Sequence, residues 1–468
     1  MQKAKIWLIW LAVMWANLAR NIADKWHKTV VYNRTNEVTV KFLENYKSDN
    51  LIWANSLEEL VNSLESPKKI IIMVKAGKPV DDLIEKLTQL LNKWDIIIDC
   101  WNSFYKDTQR RYNELNEKWL NFVWCGVSGW EEWALKWPSI MPGCNKNIYP
   151  EIQDIVESIS AKDFSNWKCV THIWENWSWH YVKMVHNGIE YAVMQMIAEA
   201  YDSLRKIYKL NSWEISEIFK NFNNWKLNSY LFEITSNVLA KKDEFDDKNY
   251  LVDKIMDKAW AKWTWLWTSI DWLNRWESVS TIIEATFSRV ISSQKTLREK
   301  LSKKYTLKTN WPNLSLEQYI KILENTLYTG MLFAYAQWYA LIMRTSKEES
   351  WDINLSEVSR IWQGWCIIRA KILDFLTKTF LKNQNFEHLF ELDEIQNEII
   401  NSLEDYKKFI NINLDNNIPT PSLSAWVNYF YSITSAKSSA NLIQWLRDYF
   451  WAHTYERTDR EWIFHTNW

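Results

Sequence analysis

Apolar and polar residues are arranged on two different scales along this chain, and the change between them divides it. Over roughly the first 175 residues, short uninterrupted apolar runs recur: "KTVVY", "KIIIMV", "DIIID" and "LNFVW". Strands buried on both faces of a parallel sheet need such runs, without the alternation of a half-exposed strand. Charged stretches of helical periodicity, such as "DDLIEKLTQLLNK" and "DTQRRYNELNEK", separate them. The alternation predicts βαβ units wound on both faces of one sheet. After about residue 178 the strand signals fade into long amphipathic helices, with "AEAYDSLRKIYKL" and "EQYIKILENTLYTGMLFAYAQ" as clear cases. The last segment, "NLIQWLRDYFWAHTYERTDREWIFHTNW", is too polar and aromatic for a plain terminal helix and reads as a docking element. The expected organisation is an α/β, Rossmann-like, doubly wound domain over 1–177, a large all-α domain over 178–435, and a short C-terminal tail over 436–468.

Composition changes how the turns are read. The chain holds 34 Trp and 7 Gly in 468 residues, whereas glycine at its usual share of about 7% would number roughly 33. The tryptophans keep glycine's company, in "NKWD", "EKWL", "DKWH", "SGWEEWA" and "FNNWK". In such turns glycine supplies positive φ without steric cost. Most of these positions are therefore read as glycines, written as tryptophan through a UGA codon that some lineages decode as glycine. A truly Trp-rich protein, of a sugar-binding or membrane-interface kind, would carry its indoles on helix or strand faces instead.

Charge and cysteines exclude several classes. A net charge of −1 gives no electrostatic case for nucleic acid or an anionic membrane. The opening "MQKAK" followed by apolar residues imitates a secretory signal, but the run Ile6–Ala19 is too short to span a bilayer and is expected to be a strand, a turn and a helix. Five cysteines, Cys100, Cys125, Cys144, Cys169 and Cys366, show no CxxC or Cys/His metal spacing. Their odd number suits reduced thiols and a cytoplasmic location, and no metal site is expected.

With Trp10 and Trp15 read as glycine, Trp10-Leu11-Ala12-Val13-Met14-Trp15 becomes G-x-A-x-x-G between the first strand and the first helix. The first glycine permits the tight turn, the small Ala12 lets a pyrophosphate approach main-chain amides, and the last lets the helix pack close to the sheet. Where an NAD site places an acidic residue at the end of the second strand, this chain has Asn33-Arg34-Thr35. Arg34 suits a ribose 2′-phosphate, so NADP is the expected cofactor.

These and later segments carry a family resemblance. "LAVMWANLARNIA", "VYNRT", "IIMVKAGKPVD", "IIIDCWNS", "CGVSGWEEWALKWPSIMPG", "HYVKMVHNGIEYAVMQ", "WAKWTWLWTSI", "EATFSRVISSQK", "RIWQGWCIIRA" and "RDYFWAHTYERTD" follow one another in order. Over essentially its whole length the chain resembles the 6-phosphogluconate dehydrogenases, decarboxylating NADP enzymes of the pentose phosphate pathway. At nearly every Trp in these segments the family pattern has glycine, whereas Trp267, Trp351, Trp362 and Trp468 stand where the family itself uses tryptophan. Cys100 and Cys144 depart from the family's glycines, and nothing in the sequence explains them. Other β-hydroxyacid dehydrogenases share the N-terminal fold but generally lack the long helical domain and the tail. A chain whose tryptophans are all real would be inactive.

In "VKMVHNGIEY", Lys183, Asn187, Glu190 and Tyr191 are spaced i, i+4, i+7 and i+8, so all four share one helix face. A lysine and a glutamate so placed commonly make a solvated ion pair. Here Val182, Met184, Val185, Ile189 and Met194 predict a buried helix, where charge is costly unless it is used or paired. The resemblance implies that Lys183 is the base and Glu190 the acid. It also implies that Val74, Lys75, Ala76 and Asn102 contact the cofactor. Ser128, Gly129 and Trp130 (as glycine) would hold the substrate's carboxylate end, with Asn102, His186 and Asn187 on its hydroxyls. Tyr191, Lys262, Thr264 and Arg289 match the phosphate side, and Arg447 and His453 match tail residues that reach the partner's substrate. An obligate homodimer with exchanged tails follows; a tail folded on its own domain is the alternative.

The gene provides the direct check on the glycine reading. UGA is expected at the turn tryptophans and UGG at Trp267, Trp351, Trp362 and Trp468; UGG throughout would refute the reading.

Overall fold

The computed structural model describes residues 3–9, 13–33, 35–101, 103–128, 131–174, 178–260 and 273–468, with the backbone alone at 13–15, 36, 131–133 and 179. Seven strands form the first sheet: β1 Ile6–Ile9, β2 Thr29–Tyr32, β3 Leu51–Trp53, β4 Lys69–Ile72, β5 Ile96–Asp99, β6 Asn121–Ser128 and β7 Ser139–Gly143. Their order is β3-β2-β1-β4-β5-β6-β7. All neighbours run parallel except β7, which is antiparallel to β6. Every residue of β1, β4 and β5 is buried, as uninterrupted apolar runs require.

Helices Val13–Asp24, Lys78–Thr88 and Tyr105–Glu117 connect the strands. The second lies where "DDLIEKLTQLLNK" predicts one, but starts earlier, because Gly77 turns the chain at φ 91° and Pro79 follows in the first turn. Two strands escape the apolar-run reading. β3 is three residues long and none of them is buried. β7, in "SIMPG", carries a proline, which a strand tolerates at a sheet edge.

The two faces of the sheet have different fates. On one, Leu18, Ala19 and Ile22 of the first helix and Ile152 and Ile155 of the helix Tyr149–Ile159 close a local core over Leu8, Val31 and Ile71. On the other, Trp7, Ile70, Ile72 and Phe122 belong to one continuous core with Tyr181, Val182, Val185 and Ile189 of the helix Ser178–Ile207. The helical part is thus built onto the sheet rather than tethered beside it.

Helix Leu316–Glu348 packs against Ser178–Ile207 and against Asp393–Asp415 and Pro421–Ile433. It differs from the amphipathic expectation: every residue from Thr326 to Ile342 is buried. A helix surrounded by other helices has no solvent face, so its polar side chains are buried with the rest. All five cysteines are buried and none is in a disulfide.

Residues 440–468 form the helix Ala440–Trp451 and a small hairpin of β8 Tyr455–Glu456 and β9 Ile463–Phe464. Leu442, Ile443, Trp445, Leu446, Tyr449, Phe450 and Trp451 are all exposed on that one helix. Among the described residues, the hydrogen bonds, ion pairs and ring contacts of this segment close within it, apart from backbone N–H bonds to the adjoining Ser438 and Ser439.

Tryptophan is over-represented where the backbone is left-handed. Trp26, Trp94, Trp119, Trp276, Trp365 and Trp462 have φ between 40° and 95°, and they are half of the twelve non-glycine residues with positive φ among the described residues. Trp26, Trp94 and Trp119 come from three of the turn contexts that suggest glycine. Trp225, in "FNNWK", is not among them.

One buried cap joins the long helices. The Glu199 carboxylate accepts the backbone N–H groups of Ser422 (2.9 Å) and Leu423 (3.1 Å), at the start of Pro421–Ile433. Thr420, the residue in the capping position, makes no such side-chain bond. Glu199→Ala strands both donors and should lower unfolding free energy by about 2–4 kcal/mol. Denaturant titration measures this; a loss within about 0.5 kcal/mol would show that water takes over the cap.

Candidate active site

Strand order reverses between β1 and β4, whose residues Leu8 and Ile71 lie in register. Ligands of open α/β sheets bind outside the carboxyl ends of strands at such a point. The helix Val13–Asp24 begins there, presenting its first-turn amides to an anion. Beside it runs the loop after β4, with Val74 buried, Ala76 half-buried and Lys75 exposed. Its Gly77, at φ 91°, starts the next helix with a turn that side chains disfavour. At the end of β2 the buried Asn33 side chain accepts the Thr35 N–H (3.2 Å), shaping the turn where a ribose would sit. A helix start, a left-handed loop and a fixed β2 turn on one sheet edge fit a dinucleotide. Trp10, Leu11, Ala12 and Arg34 lie outside the described residues, as do the side chains of Val13, Met14 and Trp15.

The next two strands end beside this cleft. Asp99, wholly buried at the end of β5, accepts the Trp101 N–H (3.0 Å) and the Ser103 hydroxyl (2.8 Å). It thereby fixes both flanks of position 102; Asn102 itself lies outside the described residues. Burial raises the Asp99 pKa, against the lowering effect of those two hydrogen bonds and of Arg111. β6 ends at Ser128, also buried, and Gly129 and Trp130 lie outside the described residues.

The helix Ser178–Ile207 carries the remaining chemistry to these strand ends. Lys183 is buried, and burial pulls its pKa down to about 8 against the raising effect of Glu190 and Cys366. Its amine lies 3.1 Å from His186 Nδ1, and His186 Nε2 lies 3.4 Å from Ser128 Oγ. An ammonium only donates, so Nδ1 accepts from Lys183 and the ring proton sits on Nε2, facing Ser128. Burial, followed by the Lys183 charge, pushes His186 well below its usual pKa and keeps it neutral. Asn187 is half-buried beside it, with Oδ1 3.3 Å from His186 Nδ1. One turn further, the Arg289 guanidinium lies 3.6 Å from the centre of the Tyr191 ring, a cation–π stack between this helix and Ser280–Ser293.

The structure therefore brings Ser128, Lys183, His186 and Asn187 together and pairs Tyr191 with Arg289. Lys262 and Thr264 lie outside the described residues. Arg447 and His453 are exposed on the tail; Arg447 donates to Gln444 (3.2 Å) and His453 stacks on Trp451. Sequence reading missed two neighbours of the Lys183–His186 pair. Trp362 meets the His186 ring edge-on at 5.8 Å, and the buried Cys366 thiol, its pKa raised to about 12 by burial, interacts with Lys183. Both sit in "RIWQGWCIIRA", which no spacing rule connects to a lysine far earlier in the chain.

No group of three or more His, Cys, Asp or Glu side chains able to hold a metal occurs among the described residues. No described helix is long and apolar enough to cross a membrane.

Comparison with known proteins matches residues 5–173 to the NAD binding domain of 6-phosphogluconate dehydrogenase and residues 179–468 to the 6-phosphogluconate dehydrogenase C-terminal domain. A decarboxylating 6-phosphogluconate dehydrogenase of Salmonella typhimurium is 42% identical over 471 residues, covering 100% of both chains. The NADP(+)-dependent, decarboxylating 6-phosphogluconate dehydrogenase of Bacillus subtilis is 42% identical, again over 100% of both. Among solved structures, Plasmodium falciparum 6-phosphogluconate dehydrogenase, studied in its apo form, with NADP+ and with 6-phosphogluconate, superposes with a TM-score of 0.95 at 41% identity. That match covers 99% of this chain and 100% of the other.

Proposed function

The chain belongs to the 6-phosphogluconate dehydrogenase family, and from that premise we propose how its own residues divide the work of the reaction. The protein is an NADP-dependent enzyme of the pentose phosphate pathway that oxidatively decarboxylates 6-phosphogluconate to ribulose 5-phosphate and CO2. The observation that carries the division of roles is the buried, neutral-leaning amine of Lys183 beside His186 and Ser128.

NADP, when bound, supplies the acceptor for the hydride leaving C3. Lys183 Nζ takes the proton of the C3 hydroxyl; with a pKa of about 8, far more of the amine is unprotonated near neutral pH than at ordinary lysine basicity. His186 orients that amine through Nδ1, leaving its lone pair available for the substrate proton. The 3-keto acid so formed loses CO2 because its ketone accepts the electrons of the broken carbon–carbon bond. Glu190, on the same helix face two turns on, then protonates C1 of the enediol. Ser128, with Gly129 and position 130, holds the carboxylate end; Asn102, His186 and Asn187 hold hydroxyls. Tyr191, Lys262, Thr264 and Arg289 receive the phosphate. Val74, Lys75, Ala76, Asn33, Arg34, Thr35 and the turn 10–15 hold NADP. No step requires a metal.

Two finer readings accompany this. Most turn tryptophans are glycines in the native molecule: six indoles on left-handed backbone are hard to reconcile with L side chains, which pay roughly 1–2 kcal/mol each for that conformation. The active unit is a homodimer in the cytoplasm, each tail delivering Arg447 and His453 to the partner's substrate. The exposed apolar face of Ala440–Trp451 supports this, since a surface of that kind calls for a cover.

The kcat/KM profile should rise with pH through about 8, because Lys183 must lose its proton to act. Lys183→Met should remove that limb and lower kcat by about 10²–10⁴-fold. A limb that persists in Lys183→Met places the base elsewhere. For the tail, Arg447→Ala should weaken substrate binding by about tenfold or more. Mixed dimers of Arg447→Ala with Lys183→Met should then regain activity, since one site has both groups intact. No recovery would mean that each tail serves its own subunit.

A further inference from the structure

We propose that His180 is a positioning residue that clamps the carbonyl of Trp101, and so ties the end of β5 to the helix that carries Lys183. The proposal rests on the reading of Asn102 and Lys183 as site residues. His180 is buried in the first turn of Ser178–Ile207, one turn before Lys183. Its Nε2 lies 3.2 Å from the Trp101 carbonyl oxygen and its Nδ1 lies 2.6 Å from Thr108 Oγ1. A carbonyl only accepts, so the ring proton is on Nε2. Nδ1 must then accept from the Thr108 hydroxyl, which gives up its longer 3.3 Å contact with the Phe104 carbonyl. Burial drops the His180 pKa to about 3, with Arg111 adding to the effect, so the ring stays neutral across the working pH range, in the tautomer its two partners select.

The clamp closes a longer path. Asp99 holds Trp101 and Ser103 from below, and Arg111 Nη1 lies 3.8 Å from the Asp99 carboxylate. The same guanidinium donates from Nε to Asp81 (2.7 Å) and from Nη2 to the Gly77 carbonyl (3.1 Å). Gly77 ends the Val74–Ala76 loop read as contacting the cofactor. The cofactor loop, the end of β5 and the catalytic helix are therefore joined by buried and half-buried polar contacts, and His180 is the member that crosses from the sheet to the helix. Buried, directional bonds of this kind fix distance as hydrophobic packing does not.

His180→Leu keeps the bulk but supplies neither donor nor acceptor; His180→Gln supplies both. His180→Leu should raise KM for 6-phosphogluconate, KM for NADP and the calorimetric Kd for NADP by about tenfold. The acid limb near pH 8 should remain, because Lys183 is untouched. His180→Gln should bring all three constants back to within about threefold of wild type. Wild-type constants in His180→Leu, with a rate loss that only tracks the unfolded fraction, would overturn the clamp, as would equal damage in both variants. Should His180→Leu not accumulate as folded protein, Thr108→Val removes only the hydroxyl that sets the tautomer. It should raise the same constants by about threefold, and unchanged values would overturn the proposal. Asn102→Ala separates the two ideas. If it leaves every constant at wild type, the reading of the turn fails and the clamp with it. If it is impaired while His180→Leu is not, the clamp alone fails.

Discussion

A lysine amine held out of water at the seam between a parallel sheet and a helix is the constraint around which this molecule is organised. Keeping an ammonium in that position costs free energy, and burial lowers the amine's proton affinity by more than Glu190 raises it. The seam stays dry because the sheet face bearing Ile70, Ile72 and Phe122 shares one core with Tyr181, Val182 and Val185 of the helix. Two independently folded lobes joined by a linker would admit water to the junction. Here the residues flanking Lys183 on its own helix are part of the wall.

The same seam decides which groups meet. β6 runs on to Ser128 past the end of β5, where Asp99 lies opposite Trp124, and the helix that starts at Ser178 carries His180, Lys183 and His186 in successive turns. His180 reaches the turn after β5 and His186 reaches the end of β6. Spacing along a helix thus becomes spacing across a sheet, and both histidines are held neutral by burial so that each acts as a fixed donor and acceptor.

Much of this is legible in the sequence, for identifiable reasons. Uninterrupted β-branched runs announce β4 and β5 because strands buried on both faces are largely apolar, and the apolar residues around Lys183 announce a buried helix. The short β3 and the proline-bearing β7 are invisible to that rule, since edge strands need no apolar run. Helix Leu316–Glu348 is recognised as a helix but not as a central one, because its Thr, Gln and Tyr side chains imitate a solvent face. Trp362 and Cys366 reach the Lys183–His186 pair only through tertiary packing, which periodicity does not encode. The turn tryptophans stand apart: their neighbours in the chain alone suggest glycine, and Trp26, Trp94 and Trp119 adopt the left-handed backbone those contexts call for.

The cysteines have a consequence for how the enzyme meets oxidants. All five sulfurs are enclosed, and burial drives the thiols of Cys100, Cys169 and Cys366 further from ionisation. Peroxides and alkylating reagents attack thiolates, and these sulfurs present almost none. A catalyst whose product pathway replenishes the cell's reducing power would, on this architecture, keep running when that power is low.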